Sequence, residues 1–161
     1  MHDDTPSLEM PARFSSLGIL LDRIETACKD AGLHDDYSRR AELAIEELLA
    51  NTIHHAYRSE SDRPVWLRVS ATGAGVFVEY QDAGPPFDPF KPAERPAGDR
   101  SPVPSPAGQV SRLVDVLATL SPDPPVGGQG RRMVKQLATN SAYSRLDGRN
   151  VVSLEFARKP S

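Results

Sequence analysis

Polar side chains that could handle a phosphate or a metal ion recur along one predicted helix. Glu47, Asn51 and His55 follow one another at intervals of four residues, and at about 100° per residue they lie on one stripe beside the apolar face. His54 lies at the outer margin of this stripe. A carboxylate there could act as a general base, and an amide oxygen could ligate a hard cation such as Mg²⁺. The pattern also fits an ordinary helix shoulder, where charged side chains flank a core-facing stripe.

A second cluster, YQDAGPPFDP from Tyr80 to Pro89, directly follows a β-rich run. Asp82 falls where a strand ends, so its carboxylate could meet a ligand at the rim of a pocket. Gly84 would let the backbone approach that ligand closely because it has no Cβ. The alternative is a plain turn, since Asp, Gly and Pro are common turn formers.

The third cluster is a glycine-rich segment that enters a predicted helix, VGGQGRRMV from Val126 to Val134. Free backbone N–H groups at a helix N-terminus form an anion site, and Arg131 and Arg132 could add charge-assisted contacts to a phosphate. A flexible helix start with no ligand is the alternative. The segment lacks the Gly-Lys-Ser/Thr ending of a Walker A loop and does not follow a strand with Gly-x-Gly-x-x-Gly spacing, which disfavours both nucleotide folds.

Hydrophobic periodicity predicts the elements that must position these clusters. Two helices come early in the chain, and two β-hairpins follow them, separated by a loop and a further helix. This order predicts an α+β two-layer sandwich, with helices on one face of a mostly antiparallel β-sheet. The predicted strands are Ser7–Met10, Val65–Ser70, Val76–Tyr80, Ala142–Leu146 and Asn150–Ala157. The predicted helices are Phe14–Ala31, a longer helix with Asp35 or Asp36 as its N-cap that runs to about Tyr57, Gly108–Leu120 and Arg131–Thr139.

A proline-rich stretch interrupts the second half of the chain. Eleven of the 15 prolines fall between Pro85 and Pro125, and proline cannot donate to a regular hydrogen-bond ladder. A long loop inside a compact domain is often a lid or a binding loop.

Composition limits the class of protein. The chain has 161 residues, a length that suits one domain spanning residues 1–161. Its net charge of −3 means that it lacks the positive field that direct nucleic-acid binding needs. Cys28 is the only cysteine, which excludes an intramolecular disulfide and a cysteine-based zinc site. No apolar run approaches the roughly 20 residues of a membrane span. We therefore expect a cytoplasmic protein without a membrane partner.

Together and in this order, the clusters resemble the histidine-kinase-like (GHKL) ATPase superfamily, which has the Bergerat ATP-binding fold. The similarity is greatest to the anti-sigma-factor serine kinases of bacterial partner-switching systems. Their helical Glu-x-x-x-Asn followed by His-Gly/Ala-Tyr is matched by Glu47–Tyr57, and their Asp-x-Gly-x-Pro-Phe-Asp-Pro by Asp82–Pro89. Their Gly-Gly-x-Gly is matched by Gly127–Gly130, and their closing Gly-x-Asn strand by Gly148–Val152.

The resemblance implies a role for each matching residue. Glu47 would be the catalytic base, and Asn51 would hold Mg²⁺ on the ATP phosphates. Asp82 would accept a hydrogen bond from the adenine amine, and Gly84 would leave room for the base. Gly128 and Gly130 would present N–H groups to the phosphates, with Arg131 beside them and His55 at the pocket edge. The span of about 89–126 would be the ATP lid.

The resemblance also implies a function and partners. The protein would be a Mg-ATP-dependent serine kinase and anti-sigma factor, which phosphorylates a STAS-domain anti-anti-sigma partner, sequesters a sigma factor and pairs as a homodimer. Gln129 and Arg131–Arg132 depart from the apolar residues usual in relatives. The alternative is therefore a non-catalytic module, nucleotide-bound or empty, that sequesters a sigma factor or another regulator. The catalytic domain of a sensor kinase fits less well, because no dimerisation hairpin with a phosphoacceptor histidine precedes the first cluster.

Overall fold

The fold is taken from a computed structural model that describes residues 5–91 and 130–158, with side chains described from Met133 onward in the second range. Its strands are β1 (Leu8–Pro11), β2 (Pro64–Thr72), β3 (Gly75–Asp82), β4 (Asn140–Leu146) and β5 (Arg149–Ala157). Its α-helices are α1 (Leu17–Asp30), α2 (Asp35–Asn51) and α3 (Gly130–Leu137), with a 3-10 turn at Phe14–Ser16 and a π-helical turn at Thr52–Ala56.

All described strands join one antiparallel sheet in the order β1-β2-β3-β5-β4. The pairing of β3 with β5 brings the strand before the proline-rich stretch beside the last strand of the chain. In that register Asp82 lies opposite Asn150, and Asn150 lies opposite Arg145 of β4. One row of side chains therefore runs across three strands at the same end of the sheet.

The core lies between the helices and one face of this sheet. Alternate residues of the central strands are buried, including Val78, Leu154 and Phe156, and they pack with Ile24 of α1 and Leu49 of α2. Burial of a side chain of this size stabilises a fold by about 1.5–3 kcal/mol. The predicted α+β sandwich, with helices on one face of the sheet, is confirmed.

The ends of α2 differ from the sequence prediction in two ways. We predicted Asp35 or Asp36 as the N-cap, but His34 is the cap, and its Nδ1 accepts from the Asp36 backbone N–H at 3.2 Å. Both carboxylates lie in the first turn instead, where negative charge complements the helix dipole. At the other end, the helix predicted to reach Tyr57 stops as an α-helix at Asn51 and continues as the π-helical turn.

The other described elements follow the prediction within a few residues. The lid prediction, apart from residues 89–91, and the predicted helix Gly108–Leu120 lie outside the described residues. Within the parts of the chain that are described, no helix is long and apolar enough to cross a membrane.

Candidate functional site

The first predicted cluster is divided between α2, which holds Glu47 and Asn51, and the π-helical turn that follows it, which holds His55. The wider hydrogen bond of this turn joins the Tyr57 backbone N–H to the Thr52 carbonyl at 2.8 Å. Such turns are rare and occur frequently at functional sites. The turn directs Thr52, Ala56 and Tyr57 toward the segment that follows β3. The Tyr57 hydroxyl accepts from the Ala83 backbone N–H at 2.8 Å and donates to the Pro64 carbonyl at 2.7 Å.

Asp82 is held by hydrogen-bond donors from three elements. Its Oδ2 accepts from the Thr52 hydroxyl at 3.0 Å. Its Oδ1 accepts from the Gly84 backbone N–H and from Asn150 Nδ2, each at 2.9 Å. A carboxylate offers about four acceptor sites, so three donors fix its orientation and leave an acceptor site for a ligand.

Tyr80 and Thr52 extend the hydrogen-bond network of Asp82 toward the core. Their hydroxyls lie 2.8 Å apart, and Tyr80 is 2% exposed. Burial raises the pKa of the Tyr80 phenol well above its usual value, so the phenol stays neutral and can donate to Thr52. The Thr52 hydroxyl has one proton, which can reach either Asp82 or the Leu48 carbonyl at 3.0 Å.

Gly84 lies against the π-helical turn. A Cβ on this residue would be 2.6 Å from the Ala56 Cβ and 3.1 Å from Asp82 Oδ1. Carbon atoms pack at about 3.5–4.0 Å. The glycine is therefore required by the close approach of the loop to the helix, a reason that the sequence analysis did not give.

Asn150 is the main functional-site residue that sequence reasoning did not list as such. It is 3% exposed, and its amide contacts Asp82 and the loop that follows β3. It stands in the closing Gly-x-Asn motif, so its position in the motif was the available signal. Arg58 was also missed. It follows Tyr57, the C-cap of the turn, has a φ of 66° and lines the same cavity, and nothing in its sequence surroundings marks it.

One cavity of about 190 Å³ lies where these elements meet. The residues predicted from sequence that line it are Asn51, His55 and Asp82. Apolar walls come from α2, from the loop after β3 and from β5. The other described lining residues are Leu48, Thr52, Ala56, Arg58, Tyr80, Pro85, Pro86, Phe87, Pro89, Asn150 and Val152.

The remaining predicted site residues have different positions. Gly84 sits beside the cavity wall, between Ala56 and Asp82. Glu47 lies one helical turn before Asn51 and is not among the described residues that line the cavity. Gly128 lies outside the described residues, Gly130 begins α3, and the side chain of Arg131 is outside the description.

The comparisons with known proteins identify the family. The sequence matches the family of histidine kinase-like ATPase domains over residues 10–156. The chain belongs to this family, and its fold is consistent with that of a GHKL ATPase domain. No curated protein matches the sequence.

Two solved structures are similar to this chain. The RsbU and RsbW domains of Rv1364c from Mycobacterium tuberculosis align with a TM-score of 0.54 at 13% identity, over 95% of this chain and 32% of that one. The Acinetobacter baumannii histidine kinase AdeS aligns with a TM-score of 0.41 at 13% identity, over 98% of this chain and 70% of that one. This chain thus spans about a third of the length of the Mycobacterium protein, and at that identity the likeness shows the fold alone.

The cavity fits the ligands that the family implies. Asn51 lines the cavity, and its Nδ2 is buried with no hydrogen-bond partner among the described residues. No described bond of Nδ2 therefore prevents the amide from turning to present its oxygen to a cation. In the described parts of the chain, no group of three or more His, Cys, Asp or Glu residues could hold a metal ion. A cation here would take most ligands from phosphates and water, as Mg²⁺ does in nucleotide sites. Asp82 retains an acceptor site, so the residues present fit both an adenine amine and Mg²⁺.

Proposed function

We propose that this protein is a Mg-ATP-dependent serine kinase and anti-sigma factor of a bacterial partner-switching system. The observation that carries the proposal is the convergence of two distant motifs on one cavity. Asn51 of the helical motif and Asp82 of the loop motif line the same cavity, although they are 31 residues apart in the chain. Membership of the ATPase family supports nucleotide binding at this site.

Asp82 would recognise the base. It receives donors from Thr52, Gly84 and Asn150, so it presents an acceptor to the cavity. The adenine amine would donate to it, whereas a guanine carbonyl would face it with a second acceptor. A hydrogen bond to a charged group is worth about 1.5–3 kcal/mol, so we expect ATP to be preferred over GTP by about 10-fold or more.

Asn51 would hold the metal, through its side-chain oxygen. Bound Mg²⁺ would neutralise charge that spreads over the phosphate oxygens during transfer. Gly128 and Gly130 remain sequence-based proposals for N–H contacts to the phosphates, with Arg131 as an added cation. His55 lines the cavity and would contact the nucleotide at its edge.

Glu47 would act as the general base. It would accept the proton of the serine hydroxyl as the serine oxygen bonds to the γ-phosphorus and the bond to the β-phosphate oxygen breaks. Phosphoserine and ADP would then leave. Since Glu47 lies on α2 one helical turn before Asn51, the acceptor serine would approach the cavity from the side that faces the N-terminal end of α2.

The partners follow from the motif resemblance. The phosphoacceptor would be a STAS-domain anti-anti-sigma protein, the sequestered partner a sigma factor, and the kinase itself a homodimer in the cytoplasm. The Mycobacterium structure is described as holding an RsbW domain, and this name is consistent with the proposal. The alternative, a non-catalytic module that sequesters a sigma factor or another regulator, is motivated by the altered third motif, where Gln129 and Arg131–Arg132 replace the apolar residues usual in relatives.

Two measurements on the full chain test the proposal. Calorimetry with ATP and Mg²⁺ should show binding by the wild type and by Glu47→Gln, and Asn51→Ala should lose the Mg²⁺-dependent part of the affinity. Radiolabelled ATP with a STAS-domain partner should label serine with the wild type and not with Glu47→Gln. Glu25→Gln is the matched control, because Glu25 is exposed on α1 and bonded to Lys29 at 2.6 Å.

The outcomes separate the two candidate functions. ATP binding without any serine labelling would favour the sequestering module. Undiminished labelling by Glu47→Gln would exclude Glu47 as the base. No heat with ATP and Mg²⁺ on folded protein would overturn the proposed kinase.

A further inference from the structure

The amide of Asn150 is the most heavily bonded side chain at the cavity. Its Nδ2 donates to Asp82 Oδ1 and to the Pro85 carbonyl, each at 2.9 Å. Its Oδ1 accepts from the Phe87 backbone N–H at 3.0 Å and from the Tyr143 hydroxyl at 2.7 Å. Of these contacts, only the bond to Asp82 enters the roles proposed above.

Arg145 completes this arrangement from the neighbouring strand. Its Nη1 donates to Asn150 Oδ1 at 3.1 Å and to the Gly84 carbonyl at 2.7 Å. Asn150 and Arg145 therefore hold the loop after β3 at Gly84, Pro85 and Phe87. Asn150 holds the Asp82 carboxylate as well, and we call Asn150 and Arg145 the loop clamp.

We infer that the loop clamp sets the base preference of the cavity, with Asn150 as a positioning residue that turns Asp82 toward a 6-amino group. The inference rests on the proposed nucleotide site and adds to it the residues that make the site selective. Neither clamp residue needs to touch the nucleotide. Each acts through the orientation of Asp82 or of the loop beside it.

The physical reason is the direction of the Asn150 amide. Arg145 and the Tyr143 hydroxyl donate to Oδ1, which fixes the NH₂ group on the side of Asp82. The NH₂ group then occupies one acceptor site of Asp82 Oδ1 and holds the carboxylate group in one orientation. In the folded chain both protons of the Asn150 NH₂ group are donated, and the two lone pairs of Oδ1 face three donors. The amide therefore cannot turn without breaking several of these bonds.

The test compares ATP with purine riboside triphosphate, which lacks the 6-amino group and so does not use Asp82 as an acceptor. Asn150→Asp keeps the side-chain shape but places an acceptor where Nδ2 donates, so two carboxylates repel each other and Asp82 turns away. Asn140→Asp is the matched control: Asn140 is exposed on the same hairpin and donates to Glu155 at 3.0 Å. It makes the same chemical change far from the cavity.

We expect the wild type to bind ATP about 10- to 100-fold more tightly than purine riboside triphosphate, as one hydrogen bond to a charged group allows. Asn150→Asp should reduce this ratio to about 3-fold or less while binding of purine riboside triphosphate changes little. Asn140→Asp should keep the wild-type ratio. A residue with a merely structural role would weaken both ligands equally.

Arg145→Met provides a second variant if Asn150→Asp does not fold, because Arg145 is exposed at the sheet edge. This substitution should lower the ratio of the ATP affinity to the purine riboside triphosphate affinity at least about 3-fold. An unchanged ratio in the folded variants, with the wild type discriminating normally, would overturn the inference alone. A wild type that binds neither nucleotide would overturn the proposed function and this inference with it.

Discussion

Gly84 allows a direct test of how the loop after β3 meets the π-helical turn. Replacement by alanine adds a single methyl group. That methyl would stand 2.6 Å from the Ala56 Cβ and 3.3 Å from its Cα. Normal carbon contacts are about 3.5–4.0 Å, so the overlap approaches 1 Å. Relief requires a shift of the loop or of the turn.

The expected cost follows from this overlap. Overpacking by one methyl costs about 1–3 kcal/mol when the neighbour cannot move freely, and the neighbour here includes backbone. For a chain of this length each kcal/mol lowers Tm by about 2–4 °C. We therefore expect Gly84→Ala to lower Tm by roughly 2–12 °C and to weaken ATP and purine riboside triphosphate equally, because the cavity wall itself moves.

A double-mutant cycle separates the clash from any other effect of the substitution. Ala56→Gly removes the opposing methyl and should cost about 0.5–1 kcal/mol on its own, the usual penalty of glycine in a helix. Because the 2.6 Å contact is then absent and only the approaches of 3.3 Å to the residue 56 Cα and 3.1 Å to Asp82 Oδ1 remain, Gly84→Ala should cost less in the Ala56→Gly background than in the wild type. The coupling free energy should be at least about 1 kcal/mol, well beyond the roughly 0.3–0.5 kcal/mol scatter of independent sites.

Urea unfolding of the four purified chains gives this coupling free energy. Gly73→Ala is the control, because no atom lies within 4 Å of the position that its Cβ would take, and its stability should change by less than about 1 kcal/mol in either direction. Additive costs in the double mutant would show that the contact between Gly84 and Ala56 is not the source of the destabilisation.

Two further predictions concern buried groups near the core. Tyr80→Phe removes a hydroxyl whose described hydrogen bond is to Thr52 at 2.8 Å, and urea unfolding should show a loss of about 0.5–1.5 kcal/mol; no loss would mean that the bond is not formed in solution. Burial raises the pKa of the Cys28 thiol from 9.0 to about 11, so near pH 8.5 its thiolate is about 100-fold scarcer than that of an unfolded chain. Iodoacetamide should alkylate Cys28 in the native protein at least about 100-fold more slowly than in the protein unfolded in urea, and equal rates would show that Cys28 is exposed. The free energy of unfolding that this thiol contributes below pH 9 should fall as the pH rises toward 11.

The apolar patterns of the sequence predict most of the described fold. The alternation in β2 and β3 places Val65 and Val78 on the buried face, as the structure has them. The apolar stripe of α2 likewise predicts its packing on the sheet. These elements are predictable because burial of apolar surface follows a fixed period along the chain.

The π-helical turn is not predictable in the same way. An α-helix and a π-turn differ by one residue in the partner of each carbonyl, and Thr52–Ala56 contains no proline or glycine that would mark the change. The turn depends on contacts with distant residues, such as the Tyr57 hydroxyl between Pro64 and Ala83. Sequence periodicity contains no information on these contacts.

The loop clamp depends on strand order rather than on any local pattern. Asp82 and Asn150 are 68 residues apart, and they meet because β3 pairs with β5 in a register that sets them opposite each other. A single sequence shows which segments are strands and which of them form hairpins, but not that the two hairpins meet through β3 and β5. The motif resemblance named Asp82, whereas only the pairing shows what holds it.

Gly84 and Asn150 now separate two properties of the same cavity, its shape and its hydrogen bonding. The donors on Asp82 are all provided by the protein, so the acceptor is oriented before any nucleotide arrives, and little ordering cost falls on binding. A change in shape at Gly84 should therefore weaken nucleotides with and without a 6-amino group alike. A change in donor direction at Asn150 should weaken ATP selectively. If both variants reduced the two affinities by the same factor, the preorganised carboxylate would not be the source of base preference.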